Sequence, residues 1–431
     1  MKPLRIRILE YMLRRMAQAV LWWHGPIIVG ITGSVGKSSA KEAVALALGA
    51  RYRVRSNAKN YNNEIGIPLT VIGAESGGSS LAGWLKVFFL WLGSFFEGTY
   101  PEVLVLEMGV DRPGDMTYLT SFIKPAISIV TNISSSHQEF FGSLEEIARE
   151  KGVLVEEIKA SGTAILNADD PLVRAMASRT SAAMVTFGFL QNADLRAENA
   201  IYNYVGEDFD GISFKLVTDG AILPVRLRAV LAMHQVYAAL AALAAAQALK
   251  VNLVEAAHAL EDFRSPQGRM NLLKGKNDSL ILDDTYNSSP ASAQAALKTL
   301  GELKAKRKIA AMGDMLELGE GSEEGHRQVA RAAHEAGVGM FIGVGIRMAA
   351  ALDELRKLGW QPEKMMGFPD PISAADYLGG ILQKGDMVLV KGSQGMRMEK
   401  VSEAILASGE DAAELLCRQS ETWKNKPFLK P

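Results

Sequence analysis

A glycine- and serine-rich segment, Gly30-Ile-Thr-Gly-Ser-Val-Gly-Lys-Ser-Ser39, contains the residue types that hold nucleotide phosphates. It follows an apolar run, residues 27–33, and leads into a helical pattern. Backbone amides at a helix N-terminus bind phosphate oxygens, and glycines let the phosphates approach. In such a loop Lys37 neutralises the β- and γ-phosphates, and the Ser38 hydroxyl binds Mg²⁺. One position departs from the usual pattern, because Ile31 stands where glycine is expected.

Polar side chains follow two further apolar runs that are typical of buried strands. Glu107 ends the run 103–107, and His137 follows the run 126–132. Ligands bind beyond the carboxyl ends of strands in open parallel sheets. We therefore interpret Glu107 as a Mg²⁺ ligand and His137 as a candidate second ligand. A solvated loop glutamate and a structural loop histidine are the alternatives.

Lys151 lies on the apolar face of a predicted helix, residues 144–159, which Ser143 caps. It follows Ile147 by four residues and precedes Leu154 by three. A buried ammonium costs free energy unless it has a partner, and burial lowers the pKa of a lysine. Either the charged end reaches water along an apolar surface, or the neutral amine reacts with CO₂. The resulting carbamate is an anion suited to Mg²⁺.

These residues belong to a repeating strand–helix pattern, which predicts an α/β fold with a central parallel sheet of the phosphate-loop ATPase type. Residues 184–230 differ, because short alternating stretches and the turn signal Asp219-Gly220 predict an antiparallel excursion. After the linker-like segment 264–269, a second α/β pattern begins, with a helix start at Ser289-Pro290. We predict three parts: a basic N-terminal extension (1–26), a central ATP-binding domain (27–268) and a C-terminal Rossmann-like domain (269–431).

Two segments lie outside this pattern. Residues 1–23 are basic and predict an amphipathic helix. Its expected apolar positions recur every four residues, at Ile8, Met12, Met16 and Val20. Residues 81–96 form an aromatic helical insertion with six aromatic residues and Lys86 as the one charge, which is short for a membrane span. The two helices either pack on each other or contact a membrane interface peripherally.

Composition narrows the class of protein. The length of 431 residues predicts two or three domains. The net charge of −1 gives no positive field that would indicate a nucleic-acid partner. Cys417 is the one cysteine, so an internal disulfide cannot form. We expect a cytoplasmic monomer, which lies at the inner membrane face if the apolar helices bind there.

Taken together, the motifs resemble those of the Mur ligase family over about residues 27–410. The C-terminal motifs are most similar to those of the branch that adds D-alanyl-D-alanine. The segments that carry the resemblance are Gly30–Ser39, Asn60–Pro68, Glu107–Gly109, Thr131–Ile133 with His137, Leu166–Pro171, Asp283–Pro290, Gly313–Gly319 and Val390–Met398.

The resemblance implies an ATP- and Mg²⁺-dependent ligase that joins a carboxylate to an amine through an acyl phosphate. The acceptor would be a peptidoglycan precursor and the amine D-Ala-D-Ala or a related amino acid, in cell-wall synthesis and hence cell shape and division. One alternative keeps the chemistry and changes the acceptor, as in ligases that extend folate or poly-amino-acid chains. Another is a nucleotide-binding scaffold that has lost catalysis.

The resemblance also implies residue roles. Those implied for catalysis are Lys37, Lys151 and His137. Those implied for ATP are Thr32, Gly33, Ser34, Val35, Gly36, Lys37, Ser38, Ser39, Asn132, Arg269 and Asp284. Of these, Asn132 would contact the base, Asp284 would hold the ribose, and Arg269 would reach the nucleotide from the linker. Those implied for the metal are Ser38, Glu107, His137 and carbamylated Lys151. Those implied for the other substrates are Asn62, Asn63 and Lys391.

Three departures from the family pattern stand out. About 26 residues precede the first strand, so we expect the domain that grips the UDP-sugar to be missing. The segment His234–Ala238 stands where the family commonly has His-Asn-x-x-Asn, and Ser38-Ser39 replaces a common pair of threonines.

Overall fold

The computed structural model describes residues 3–58, 61–96, 98–134, 141–206, 208–407, 411–426 and 428. Its contacts divide the chain into two compact units. Unit 1 is Met1–Arg228 with His234–Phe263, and unit 2 is Ala229–Met233 with Arg264–Pro431. The three predicted parts, with boundaries after residues 26 and 268, and the roles given to them stay predictions.

Unit 1 alternates strands and helices before its antiparallel part. Its elements are α1 (Leu4–His24), β1 (Ile27–Thr32), α2 (Lys37–Gly49), β2 (Val54–Ser56), α3 (Gly66–Ile72), α4 (Leu81–Ser94), β3 (Val103–Glu107), α5 (Asp115–Thr120), β4 (Ile127–Val130), α6 (Leu144–Glu156), β5 (Thr163–Asn167), α7 (Pro171–Ala175), β6 (Ala183–Gly188), β7 (Leu195–Val205), β8 (Asp208–Thr218), β9 (Ala221–Leu227), α8 (Val236–Ala248) and α9 (Leu253–Ala259).

The sheet of unit 1 has the strand order β2-β3-β1-β4-β5-β6-β7-β8-β9. Pairing is parallel from β2 to β7 and antiparallel from β7 to β9. The turn between β8 and β9 places Asp219 and Gly220 at positive φ, +41° and +75°, as a two-residue hairpin requires. Both the predicted parallel sheet and its antiparallel excursion are confirmed. Because β1 lies between β3 and β4, the loops that follow these strands meet at one edge.

The prediction for the N-terminal segment is right about the helix and wrong about its buried face. Ile8 and Met12 are 51% and 53% exposed, whereas Leu13, Ala17 and Val20 are buried. A four-residue repeat rotates by about 40° per step around a helix with 3.6 residues per turn. The early members of the series therefore point away from the core that the later members enter.

Unit 2 is a second parallel sheet with one antiparallel edge strand. Its elements are β10 (Asn271–Gly275), β11 (Ser279–Asp284), α10 (Pro290–Glu302), β12 (Arg307–Gly313), α11 (Ser322–Glu335), β13 (Met340–Val344), α12 (Ala349–Lys357), β14 (Met365–Phe368), α13 (Pro371–Ile381), β15 (Asp386–Lys391), α14 (Glu399–Ile405), α15 (Ala412–Leu415) and α16 (Glu421–Lys424).

The strand order in unit 2 is β10-β11-β15-β12-β13-β14. The last strand, β15, therefore lies between β11 and β12, and parallel pairing joins all three. Ser289 caps α10 in a reciprocal pair with Ser292, and Pro290 occupies the first turn, so the predicted helix start is confirmed. No helix among the described residues of either unit is long and apolar enough to cross a membrane.

Candidate active site

The loop between β1 and α2 requires glycine at two positions. Gly33 has φ +146°, and a Cβ there would lie 2.0 Å from the Thr131 hydroxyl. Gly36 has φ +82° immediately before α2. Residues other than glycine are strained at these φ values. The loop thus leads directly into the N-terminus of α2, the part of a helix at which backbone amides bind phosphate.

The loop after β4 holds the phosphate loop from one side. The Val35 amide donates to Asn132 Oδ1 at 2.8 Å, and the Ser34 amide donates to the Asn132 carbonyl at 2.8 Å. The Thr131 hydroxyl donates to the Val35 carbonyl at 2.7 Å. Asn132 therefore supports the loop in this structure, and its contact with a nucleotide base stays a prediction.

Lys37 and the two serines that follow occupy the first turn of α2. Lys37 Nζ donates to the carbonyls of Gly33 and Ser34 at 2.8 and 3.2 Å. The ammonium therefore lies over the loop on which phosphate oxygens would bind. On the other side of the loop, the Thr32 hydroxyl donates to the Met108 carbonyl at 2.9 Å, which ties the ends of β1 and β3 together.

Glu107 ends β3 and is 4% exposed. Its Oε1 accepts a hydrogen bond from Asn62 Nδ2 at 3.1 Å. Its buried Oε2 accepts none from the part of the chain that the structure describes. A Cβ on Gly109 would lie 2.8 Å from Asn62 Nδ2, so glycine at this position permits the close approach. Of the predicted pair, Asn62 thus reaches the site, whereas Asn63 Oδ1 accepts the amides of Ile65 and Gly66 at the start of α3.

Asn57 is a fully buried residue of the site that sequence reasoning missed. Its Oδ1 accepts the Glu107 amide at 2.7 Å, and its Nδ2 donates to the Tyr61 carbonyl at 3.1 Å. Asn57 therefore fixes the backbone on both sides of the Asn62–Glu107 contact. Its position after β2 was the available signal, but β2 has only three residues, Val54–Ser56, and its pattern did not indicate a strand.

Lys151 is 3% exposed on α6, as the apolar-face argument required. Burial, and next the positive charge of Lys37, lower the pKa of Lys151 to about 7, against the opposing influence of Asp111 and Glu150. A neutral amine beside a fixed cation can form a carbamate, whose negative charge Lys37 would stabilise.

These residues fit a divalent cation. Glu107 Oε2 is a buried carboxylate oxygen without a partner among the described residues, and such an oxygen loses the solvation that a metal would replace. The described residues contain no cluster of three acidic, histidine or cysteine ligands. The roles of the Ser38 hydroxyl and of a carbamate on Lys151 as further ligands stay predictions. The predicted ligand His137 lies outside the described residues.

In unit 2, Asp284 and Lys391 face each other across a strand pair. They are register partners in β11 and β15, and Lys391 Nζ donates to Asp284 Oδ2 at 2.7 Å. Lys391 Nζ also donates to the Asn287 carbonyl at 2.8 Å, and its side chain is 2% exposed. Lys391 therefore positions Asp284 in this structure. The roles of Asp284 at a ribose and of Lys391 toward the amine stay predictions.

Arg269 and Asp283 are two further polar residues of unit 2 near Asp284 in the sequence. The Arg269 guanidinium lies 4.1 Å from the centre of the Tyr286 ring. Complete burial raises the pKa of Asp283 to about 7, although Ser402 and Thr285 donate hydrogen bonds to its carboxylate. Asp283 directly precedes Asp284, and successive side chains of a strand point to opposite faces of the sheet. The sequence alone therefore did not show which of the two carboxylates is buried.

Protein-family models match both halves of the chain. Residues 92–246 match the Mur ligase middle domain, and residues 268–394 match the Mur ligase, glutamate ligase domain. The UDP-N-acetylmuramoyl-tripeptide–D-alanyl-D-alanine ligase of Mycobacterium leprae is 30% identical over 424 residues, which cover 92% of this chain and 77% of that protein. This chain belongs to the Mur ligase family.

Two further Mur ligases agree with this assignment. The enzyme of the same name from Bacillus subtilis is 28% identical, with 92% of this chain and 79% of that protein covered. The crystal structure of MurF ligase from Thermotoga maritima in complex with ADP matches with a TM-score of 0.76 and 26% identity, covering 92% and 83% of the two chains. As a Mur ligase, the protein is an ATP-dependent enzyme that forms a carbon–nitrogen bond, with ATP and Mg²⁺ as its cofactors.

Proposed function

We propose that this enzyme adds D-alanyl-D-alanine to the peptide carboxylate of a UDP-linked peptidoglycan precursor, with release of ADP and phosphate. The observation that carries the proposal is the alignment over 92% of the chain with ligases named for this reaction. The expected site residues of unit 1 lie at the ends of β1 and β3 and on α6. Because ATP and UDP-linked precursors are cytoplasmic metabolites, the proposed location is the cytoplasm.

The proposed reaction has two steps. An oxygen of the acceptor carboxylate attacks the γ-phosphorus of ATP, the bond to ADP breaks, and an acyl phosphate forms. The neutral amine of D-Ala-D-Ala then attacks the acyl carbon, loses a proton, and phosphate leaves. No side-chain nucleophile is needed, so the protein acts by positioning the reactants and neutralising charge.

The residues of the candidate site in unit 1 have distinct roles in this proposal. Backbone amides at the N-terminus of α2 receive the β- and γ-phosphates, and Lys37 exchanges its contacts with the Gly33 and Ser34 carbonyls for phosphate oxygens. Glu107, Ser38, His137 and a carbamate on Lys151 would hold Mg²⁺, which neutralises phosphate charge when bound. Asn57 and Asn62 act indirectly, because they position Glu107.

We also propose a division of labour within the chain. Residues 27–268 would bind ATP and activate the acceptor, and residues 269–431 would contribute Arg269 and Asp284 to the nucleotide and Lys391 to the amine site. The capping role of Asn63 and the burial of Lys391 suggest that these two residues shape the substrate sites indirectly.

The test is phosphate release from ATP and Mg²⁺ with UDP-MurNAc-tripeptide and D-Ala-D-Ala. We expect release only when both substrates are present, and L-Ala-L-Ala serves as the matched control for the amine. Release with a folate or a poly-amino-acid acceptor instead would identify the alternative substrate class. ATP binding without release for any acceptor would support a nucleotide-binding scaffold.

A further inference from the structure

The outward faces of α1 and α4 carry large apolar side chains that no described part of the chain covers. We call this region the aromatic surface and define it by Tyr11, Trp22, Leu85, Phe88, Phe89 and Leu92. The exposed fractions reach 82% for Trp22, 66% for Phe89 and 64% for Tyr11. Contiguous apolar surface of this kind marks an interaction site in a soluble domain.

The sequence of α4 places apolar residues on both sides of the helix. Its inner side packs through Val87 and Trp91 against the cluster that includes Leu69 and Leu13. Leu85, Phe88 and Leu92 recur at helical spacing on the opposite side and are 40–51% exposed. A helix on a protein surface normally presents polar residues outward, so the outer side of α4 is built for a second apolar environment.

Ring contacts join the two helices into one surface. Trp23 of α1 lies 5.9 Å from Phe95, which lies 5.4 Å from Trp91 of α4. Trp91 in turn contacts Phe88 at 5.6 Å, and its Nε1 donates to the Met16 carbonyl at 3.0 Å. The placement of α4 beside α1 is therefore fixed by specific contacts.

The charge around this surface is positive. Of the arginines of α1, Arg5, Arg7 and Arg15 are exposed, whereas Arg14 lies over the rings of Tyr118 and Phe122. The one acid of α1 is Glu10, and α4 contains Lys86 and no acid. The chain as a whole has a net charge of −1, so the excess is local. A second copy of the chain would bring the same arginines against each other in a two-fold contact. Anionic lipid headgroups instead complement an apolar, aromatic face bordered by arginines.

We propose that the aromatic surface binds the anionic surface of a lipid bilayer, with α1 and α4 lying in the headgroup region. Tryptophan and tyrosine favour this region because their rings are apolar at one end and polar at the other. The described helices are not long and apolar enough to span the bilayer, so the contact is peripheral. The proposal does not depend on the identity of the ligase substrates.

The test is flotation of the full chain with vesicles of phosphatidylcholine, with and without phosphatidylglycerol. We expect flotation with the phosphatidylglycerol vesicles and at least about a tenfold weaker association for Leu85→Ser/Phe89→Ser. The matched control is Val205→Ser/Ile222→Ser, which removes two residues of similar exposure, 68% and 65%, outside the surface. Arg5→Gln/Arg15→Gln should lose about fivefold per arginine with the anionic vesicles alone.

Tryptophan fluorescence provides a second test of whether the aromatic surface enters the bilayer. Brominated lipids should quench tryptophan fluorescence, and Trp22→Phe should remove part of that quenching. Unchanged thermal unfolding midpoints show that the variants fold. Equal flotation of the Leu85/Phe89 variant and its control, or wild-type protein that never floats, would overturn the proposal. So would a wild-type dimer in light scattering that the Leu85/Phe89 variant loses, because a second copy would then cover the surface.

Discussion

At the scale of single residues, the candidate site of unit 1 contains two buried titratable side chains, Glu107 and Lys151. Glu107 is held by Asn62 through one oxygen, and its other oxygen has no partner among the described residues. Lys151 is buried with a pKa lowered to about 7, first by burial and then by Lys37. A buried carboxylate oxygen without a partner is costly, so Glu107 favours a cation that arrives with the reaction.

Replacing Glu107 with glutamine tests its proposed role as a metal ligand. The amide keeps the shape and removes the charge, so we expect activity at limiting Mg²⁺ to fall by about 10²-fold or more. The thermal unfolding midpoint should be unchanged or higher, because a buried charge is removed. The matched control is Glu102→Gln at a side chain that is 43% exposed. Equal activity of the two variants over a Mg²⁺ titration would exclude Glu107 as a ligand.

Lys151 is tested by its chemistry. In ¹³C-bicarbonate, wild-type protein should show a carbamate carbon resonance that Lys151→Met and Lys151→Arg lack. Both variants should lose about 10²-fold or more in activity, and acetate should restore part of it to Lys151→Met alone, since arginine fills the space. A wild-type spectrum without this resonance, with full activity in the absence of CO₂, would contradict the carbamate.

At the scale of elements, the phosphate loop depends on a backbone shape that the neighbouring strand end enforces. Gly33→Ala adds a Cβ at φ +146° and 2.0 Å from the Thr131 hydroxyl. We expect it to weaken ATP binding at least about tenfold and to lower stability by about 1–3 kcal/mol. Gly49→Ala is the control, because a Cβ there meets nothing within 4 Å. Calorimetric titration with ATP measures the difference, and equal affinities would show that the loop shape is not required.

At the end of β11, the buried carboxyl group of Asp283 should make the stability of the protein depend on pH. Burial raises the pKa of Asp283 to about 7 from its ordinary value of 3.8. The folded state therefore disfavours the ionised form, so this residue costs stability progressively as pH rises from about 4 to 7, and the cost is constant above 7. Asp283→Asn does not titrate, so its unfolding midpoint relative to wild type should rise over that interval. A difference independent of pH would contradict the shift.

At the scale of the whole molecule, the sequence predicted most of the helices and strands but few of the contacts between them. Apolar runs and capping residues located β1, β3, α6 and the start of α10 because those signals are local. Contacts that depend on the order of the strands in a sheet could not be predicted from the sequence. Asp284 and Lys391 are 107 residues apart and become neighbours only because β15 lies between β11 and β12.

The same limit explains the remaining differences in the candidate site and in α1. Asn57 acts on Glu107 from 50 residues away, after a three-residue strand that no periodic pattern announces. The apolar residues of α1 cover more than one side of the helix, so periodicity alone could not show that Leu13 would enter the core and Ile8 would stay exposed. The structure resolves such cases because packing, rather than composition, selects the buried side.

We propose that this Mur ligase joins D-Ala-D-Ala to a precursor carboxylate through an acyl phosphate. The most direct measurement uses UDP-MurNAc-tripeptide labelled with ¹⁸O in its terminal carboxylate, followed by mass spectrometry of phosphate and peptide. We expect each turnover to transfer one ¹⁸O atom to the released phosphate and to lengthen the peptide by D-Ala-D-Ala. Phosphate without ¹⁸O, or release of phosphate without a longer peptide, would contradict it.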